Sequence, residues 1–267
     1  MRRNRIYDIS DECYLFLESE YNKKFREELT NILVERNIIP SNKINLTQID
    51  KYVIDQSMLD VDVTCGLNKI SLDLYETSDK FEKLYVEFLK NLRTKVGFNF
   101  YFQKTPTIRV HCPNENCDIF FPRYHSDCFF GHPPEEINIW FSLTKNEHSG
   151  FYFLDYEKST QWFSEVNNNP DLFIEKIEND PTFKKRGDSL GFEIESTDEK
   201  IFLFDSYCIH SNQPRKNDCR ISIDVRINPV DDFVEGYGGN GRMRAEFKPG
   251  GLKGYSIKSI DQYIVQS

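Results

Sequence analysis

Two histidines and one aspartate stand at a spacing that restricts both the fold and the chemistry of this chain. His125 and Asp127 are two positions apart, and His210 follows much later in the sequence. Residues i and i+2 of a β-strand point to the same side, so one short strand would present both His125 and Asp127. His210 can join them only if a second strand runs back beside the first. The spacing therefore predicts a site shared by two neighbouring strands.

These three side chains predict a metal. Two imidazoles and one carboxylate bind iron(II) on one triangular face, which leaves positions open for dioxygen and a 2-oxo acid. The far carboxylate of such an acid needs a rigid cation, and arginine grips a carboxylate through two parallel hydrogen bonds. Arg220 follows His210 in a predicted strand, and Ser222 lies on the same strand face and can add a hydroxyl donor. Asp224 and Arg226 share that face too, so the choice between the two arginines stays open.

Short, aromatic-rich runs with alternating apolar residues follow Gly97 and are typical of β-strands. The predicted strands are Phe98–Gln103, Thr107–His111, Ile119–Arg123, Glu136–Leu143, Phe151–Leu154, Lys200–Asp205 and Arg220–Asn228. Turn residues separate them, which is typical of an antiparallel sandwich or small barrel of the cupin or jelly-roll class. The fold class predicted is mainly β with helical additions.

Residues 1–96 have a mostly helical pattern and would support the sheet. Apolar residues recur near helical spacing from Asp11 to Arg36, and a second candidate helix spans Leu46 to Gln56. A third is better defined, because Ser78 can cap it and an apolar stripe runs from Phe81 to Leu92.

The rest of the chain divides into a β core and two additions. Residues 97–230 form the predicted core, interrupted at 156–188 by a polar insertion with helical patterns at Ser159–Val166 and Asp171–Ile177. Residues 231–267 are a Gly-rich tail. One catalytic domain covering 1–267 is the predicted organisation.

Composition restricts the binding partners and the cellular compartment that we expect. The net charge of −9 gives no electrostatic support for nucleic-acid binding, which needs clustered cations. The basic start is not followed by an apolar signal segment, and no stretch has the apolar length of a membrane span. The seven cysteines are an odd number, which favours a reducing compartment, so we expect a cytoplasmic protein.

Cys112 and Cys117 beside His111 hint at a zinc site. Free thiols in a turn explain these residues better, because a second cysteine pair is missing.

At family level, His125-Ser126-Asp127, His210 and Arg220-Ile221-Ser222 resemble the motif of iron(II)- and 2-oxoglutarate-dependent dioxygenases. The stretch from Arg123 to Thr144 looks like the phytanoyl-CoA hydroxylase-like branch. More narrowly, it is similar to the StrG-like oxygenases of bacterial carbohydrate and aminoglycoside gene clusters. The branch-level resemblance covers about residues 97–230, and Phe204–His210 also fits the segment that delivers the second histidine.

The resemblance implies a double-stranded β-helix with the N-terminal helices packed on its sheet. It implies Fe(II), 2-oxoglutarate and O2 as cofactor and co-substrates, with His125, Asp127 and His210 as metal ligands. Arg220 and Ser222 would hold the 2-oxoglutarate tail. Because related halogenases replace the carboxylate ligand with a small residue, Asp127 favours hydroxylation, desaturation or ring closure.

The substrate expected is a small molecule, with a sugar or sugar-bearing metabolite preferred and an amino acid or its derivative as the alternative. Two rival classes remain. One is a non-catalytic cupin-like module that binds a metal or sugar. The other is a zinc hydrolase on the same triad, which would leave Arg220 and Ser222 without a role. The sequence does not determine the oligomeric state.

Further candidate contacts have simpler alternatives. Asn138 or Trp140 can line the co-substrate pocket, although core packing explains Trp140 equally well. The candidate substrate contacts are Tyr124, His132, Arg226 and Arg242. A packed ring explains Tyr124 as readily, whereas a turn explains His132 better and a solvated tail explains Arg242 better.

Overall fold

The computed structural model describes residues 4–62, 66–113, 124–213, 215–232 and 260–261. Within these ranges the α-helices are α1 (Tyr21–Glu35), α2 (Lys69–Asp73), α3 (Asp79–Val96), α4 (Tyr156–Ser164), α5 (Pro170–Asn179) and α6 (Pro181–Leu190). The strands are β1 (Tyr14–Glu18), β2 (Val61–Asp62), β3 (Leu67–Asn68), β4 (Phe100–Phe102), β5 (Thr107–His111), β6 (Ile137–Ser142), β7 (Phe151–Phe153), β8 (Phe192–Glu193), β9 (Lys200–Asp205), β10 (His210–Asn212) and β11 (Arg220–Pro229). Short 3₁₀ helices span Arg5–Asp8, Leu46–Lys51, Gln56–Leu59 and Asp127–Phe130.

The largest sheet is antiparallel and has the strand order β1-β9-β6-β11-β4, with β5 also paired to β11. Strand β11 is its longest, and it pairs β6 on one edge and β4 and β5 on the other. The register sets Arg226 opposite Asn138 and Ser222 opposite Arg109. Because strand residues alternate between faces, this register collects polar side chains on one face of the sheet.

The outer face of this sheet is covered by helices. Ile221, Ile223, Val225 and Ile227 of β11 belong to one apolar core with helices α1 and α3. The ring of Phe141 on β6 lies 5.7 Å from Phe25 and 5.4 Å from Phe88, measured between centroids. The prediction that N-terminal helices pack on the sheet is confirmed.

A smaller antiparallel sheet, of order β10-β7-β8, packs against the inner face. The ring of Phe151 stacks on Trp140 at 4.9 Å, and the ring of Phe153 meets the ring of Phe202 edge-on at 5.1 Å. Aromatic pairs at these distances stabilise a core beyond the area that they bury. The structure thus combines helices with two facing antiparallel sheets.

Helix α3 follows its prediction closely. The Ser78 hydroxyl accepts a hydrogen bond from the Phe81 backbone nitrogen at 3.0 Å and caps the helix. Gly97 ends it with a φ of 81°, a left-handed conformation that suits glycine.

The predicted helix beginning at Asp11 is wrong in its first part, because Tyr14–Glu18 forms the edge strand β1 on β9. Alternation within this run places the ring of Phe16 against Phe202, at 4.9 Å between centroids. Pairing with β9 therefore overrides the helical spacing seen in the sequence. The second candidate, Leu46 to Gln56, consists of 3₁₀ turns instead of one α-helix, with Asn45 and Asp55 as caps.

The insertion has its own apolar core, which includes Tyr124, Trp162 and Phe173. Its third helix, α6, was not predicted, although Asp180 caps it and Pro181 begins it. The predicted strand Ile119–Arg123 and most of the predicted tail lie outside the described residues. None of the helices in the described ranges is long and apolar enough to cross a bilayer.

Candidate metal centre

His125 and His210 meet as backbone neighbours in an antiparallel bridge. The His125 nitrogen donates to the His210 carbonyl at 3.0 Å, and the His210 nitrogen donates to the His125 carbonyl at 2.9 Å. The predicted return of a second segment beside the first is therefore observed. Asp127 departs from the prediction, because it begins a 3₁₀ helix capped by the Ser126 hydroxyl instead of continuing a strand.

The three side chains nevertheless converge. Asp127 Oδ1 lies 3.7 Å from His125 Nε2 and 3.9 Å from His210 Nε2. One ligand atom from each residue lies within 4.8 Å of the others. Bonds of about 2 Å to a shared ion hold two ligand atoms at most about 4 Å apart. A facial set of such bonds places ligand atoms about 3 Å apart, so Asp127 Oδ1 and each imidazole Nε2 are within the limit for a shared ion and would approach each other by less than about 1 Å on binding it.

The His210 ring is held so that its Nε2 faces the site. His210 Nδ1 lies 3.0 Å from the Cys208 carbonyl oxygen, which selects the tautomer that donates from Nδ1 and leaves Nε2 free to ligate. Burial lowers the pKa of His210, against the opposing effect of the Asp127 charge. A neutral imidazole is the form that binds a metal.

The second carboxylate oxygen of Asp127 is occupied by protein donors. Oδ2 accepts from Asn138 Nδ2 at 2.8 Å, and from Arg226 Nε at 3.2 Å and Nη2 at 3.1 Å. Burial acts to raise the pKa of Asp127, but the charges of Arg226, His132, His210 and His125 outweigh it and hold that pKa well below its usual range. Asp127 is therefore ionised and presents Oδ1 to the histidines.

A second group with metal-ligating atoms shares Asp127 and adds His132 and Glu136. His132 Nδ1 lies 2.9 Å from Glu136 Oε1, and both side chains are buried. Arg226 Nε lies 3.4 Å from the same Glu136 oxygen. Because a guanidinium already contacts both carboxylates, the first triad is the better metal site.

A cavity of about 70 Å³ lies beside the triad. Its lining combines the triad, aromatic rings, polar side chains and two aliphatic residues: Phe130, Phe151, Phe204, Arg109, Asn138, Asn212, Asp224, Arg226, Ile139 and Val225. Arg109 Nε donates to Asp224 Oδ2 at 2.8 Å, and both side chains are about one-fifth exposed. Sequence reasoning missed Arg109, although its place in the predicted strand Thr107–His111 put it on the inner face.

Arg220 is fully buried and is not among the residues lining the cavity, although its hydrogen-bond partner Asn212 is. Its Nη1 donates to the Ser149 carbonyl at 2.7 Å and its Nη2 to Asn212 Oδ1 at 2.6 Å. The guanidinium carbon lies 5.6 Å from the Trp140 ring centroid. Trp140 therefore packs against both Phe151 and the arginine.

Ser222 is also fully buried, and its hydroxyl has no hydrogen-bond partner among the described residues. A buried hydroxyl without a partner costs free energy, which a polar ligand would offset.

Two predicted substrate contacts, Tyr124 and His132, are not among the residues lining the cavity, whereas Arg226 lines it. Tyr124 packs on Trp162 in the insertion core, donates to Asp188 Oδ1 at 2.7 Å and is not among the residues lining the cavity. His132 belongs to the buried cluster with Glu136, and Arg226 contacts Asp127. Arg242 lies outside the described residues.

Comparison with known proteins gives one sequence relative. The chain is 29% identical over 92 residues to the streptomycin biosynthesis protein StrG of Streptomyces griseus. The match covers 34% of this chain and 45% of that protein. It supports the predicted resemblance to the StrG-like group. No protein-family model matches the chain.

Similar solved structures include the non-heme, alpha-ketoglutarate-dependent carbocyclase SnoK of nogalamycin biosynthesis, at 11% identity and a TM-score of 0.47 over 94% of this chain and 92% of SnoK. Iron-bound EctD of S. alaskensis has 12% identity and a TM-score of 0.46 over 89% of this chain and 80% of EctD. Iron-bound HygX of Streptomyces hygroscopicus has 10% identity and a TM-score of 0.40 over 98% of this chain and 99% of HygX. Because these TM-scores are below 0.5, the fold is assigned from the strand order of this chain alone.

Proposed function

We propose that this protein is an iron(II)- and 2-oxoglutarate-dependent oxygenase that hydroxylates a C–H bond of a small molecule and releases succinate and CO2. The observation that carries the proposal is the approach of Asp127 Oδ1 to both imidazole Nε2 atoms, at 3.7 and 3.9 Å, beside a cavity. Two imidazoles and a carboxylate are the ligands that non-heme iron(II) takes. When bound there, the iron would couple decarboxylation of the 2-oxo acid to oxidation of the substrate.

Arg220 and Ser222 are the proposed holders of the 2-oxoglutarate tail. They share the inner face of β11, and the Ser222 hydroxyl, which has no hydrogen-bond partner within the described ranges, suits a carboxylate acceptor. The Ser149 carbonyl and the Asn212 side chain fix the Arg220 guanidinium in place. A preorganised guanidinium binds a carboxylate with little loss of side-chain entropy. Trp140 would keep this region dry by covering the arginine.

The proposed architecture is a double-stranded β-helix in one catalytic domain. Its support is the packing of the β10-β7-β8 sheet against the inner face of the large sheet, with the triad beside their contact. Two facing antiparallel sheets are the general plan of a jelly roll.

A sugar or sugar-bearing metabolite is the proposed substrate class. Aromatic rings of Phe130, Phe151 and Phe204 form one part of the cavity lining, and the Arg109–Asp224 pair forms another. Apolar faces with a few fixed polar groups suit a ring that carries hydroxyl groups. The similarity to StrG, a streptomycin biosynthesis protein, supports the same class. An amino-acid-derived metabolite is the alternative.

The test is succinate formation from 2-oxoglutarate with added iron(II) and ascorbate, in pools of sugars and amino acids. Wild type is compared with His125→Ala and Arg220→Ala. His148→Ala is the matched control, because that histidine is exposed and lies 3.3 Å from Glu193, outside the cavity lining. Succinate that requires His125 and Arg220 but not His148 is the expected result.

The rival classes give different results. Iron binding without succinate in any pool would favour a non-catalytic module. Retention of zinc with no 2-oxoglutarate binding would favour a hydrolase. Failure to bind iron(II) or 2-oxoglutarate would contradict the proposed function.

A further inference from the structure

Arg226 occupies a position that the proposed reaction does not explain. It lies on β11 opposite Asn138 of β6, and the two residues supply three hydrogen bonds to one oxygen of Asp127. All three donors reach Oδ2, at 2.8 to 3.2 Å. The other oxygen is the one that faces the histidines. Donors from two paired strands thus decide which oxygen of the carboxylate is turned to the metal site.

The same guanidinium also contacts a second carboxylate. Its Nε lies 3.4 Å from Glu136 Oε1, which in turn lies 2.9 Å from His132 Nδ1. The side chains of Arg226, Glu136 and His132 are 10%, 1% and 3% exposed. The backbone nitrogen of His132 also donates to the Asp127 carbonyl at 3.3 Å, so this cluster fixes both the main chain and the side chain of the ligand. A buried arginine between two carboxylates has no alternative position of similar free energy, because its departure would leave two buried negative charges without a counter-ion.

We propose that Arg226 is a positioning residue that fixes Asp127 as a one-oxygen ligand and keeps a second cation out of the Asp127–His132–Glu136 group. The inference rests on the proposed metal centre. Its first part follows from the three donors on Oδ2. Its second part follows from charge, since a metal ion in that group would have to displace a guanidinium from contact with both carboxylates. We expect one tightly bound divalent ion per chain.

Removal of the guanidinium frees Oδ2 to rotate toward the metal or toward Glu136. Loss of a group that orients a ligand commonly weakens metal binding by about 10–100-fold. Arg226→Met is therefore expected to raise the Kd of the triad for cobalt(II) within that range. Arg226→Lys should fall between wild type and Arg226→Met, because an ammonium keeps the charge but cannot donate through a planar fork.

The experiment titrates the full-length, metal-free protein with cobalt(II) alone under anaerobic conditions. Affinity, stoichiometry and the visible d–d bands of the bound ion are recorded. The bands report coordination number, which a general loss of stability would not change. Arg215→Met is the matched control, since Arg215 is equally buried and paired with a carboxylate, Asp218, that is not a proposed ligand. Arg226→Met/Glu136→Gln removes both charges together, so the proposal remains testable if Arg226→Met alone fails to fold.

Weaker binding with altered bands in the Arg226 variants, and unchanged bands in Arg215→Met, is the expected result. Wild-type affinity and bands in folded Arg226→Lys and in the double variant would overturn the inference and leave the proposed function intact. If wild type itself binds no cobalt(II), that result contradicts the proposed metal centre, on which the inference about Arg226 rests.

Discussion

His125 and His210 are joined by two backbone hydrogen bonds, of 3.0 and 2.9 Å, although they are far apart in the sequence. Their imidazole rings consequently lie 4.5 Å apart between centroids. Because the bridge is made by main-chain atoms, it does not depend on the identity of either side chain. Mutation of either histidine can therefore remove a candidate ligand while the backbone bridge between the two segments remains.

His210→Ala should fold and lose the metal. The bridge to His125 remains, while one of the three ligands is removed, so we expect cobalt(II) affinity to fall by more than about 100-fold, beyond the effect of losing an orienting group. Circular dichroism and a metal titration measure the two properties. His148→Ala should retain wild-type affinity. Undiminished binding by His210→Ala would rule out this triad as the metal site.

Ser222→Ala should weaken co-substrate binding without lowering stability. The Ser222 hydroxyl is buried without a hydrogen-bond partner among the described residues, so its removal should leave the Tm unchanged or slightly higher. If it donates to 2-oxoglutarate, the loss of about 1 kcal/mol should raise the KM for 2-oxoglutarate roughly five-fold. Thermal unfolding and succinate assays on the same preparation provide the comparison. An unchanged KM would remove Ser222 from the co-substrate site.

Gly187→Ala should destabilise the insertion. A Cβ at this position would lie 2.4 Å from Tyr124 Cε2, and the ring cannot move freely because it also packs on Trp162. Overpacking of this kind costs about 1–3 kcal/mol of unfolding free energy. Denaturant unfolding of the single variant and of Gly187→Ala/Tyr124→Leu measures the coupling. The smaller side chain should restore part of the loss, whereas additive effects would show that the contact is not responsible.

The contribution of Asp205 to the free energy of unfolding should decrease as pH rises. Burial raises the pKa of Asp205 from 3.8 to about 6, although hydrogen bonds from the Tyr207 nitrogen and from Tyr7 act against it. The folded state therefore holds the proton more tightly than the unfolded state. Stability from this group is fully present below about pH 4 and is lost as pH rises through about 6.

Asp205→Asn removes that charge and should stabilise the protein at pH 8, by an amount on the order of 2 kcal/mol. The Tyr207 nitrogen can still donate to the amide oxygen at this position. Tm profiles of the two proteins should converge near pH 4, which supplies an internal control. A constant difference at all pH values would show that the aspartate charge is not the cause.

Local patterns in the sequence were sufficient to predict much of the fold and to indicate the candidate ligand set. The capping serine and apolar stripe predicted α3, and alternation gave the bounds of β5 and β9 as observed. Such features depend on residues a few positions apart, whose geometry the backbone fixes. The spacing of His125, Asp127 and His210 likewise indicated one site before any contact was visible.

Contacts between distant segments decided what the sequence left open. Strand parity placed Arg220 and Arg226 on one face, but only the register of β11 against β6 and the buried Glu136 assign Arg226 to Asp127. Packing of the insertion likewise took Tyr124 away from the cavity, and pairing with β9 made Tyr14–Glu18 a strand. These outcomes depend on which surfaces meet across long sequence separations, and no local periodicity encodes that. The sequence by itself determined the chemistry of the candidate ligands, and the tertiary structure determined which neighbours hold them.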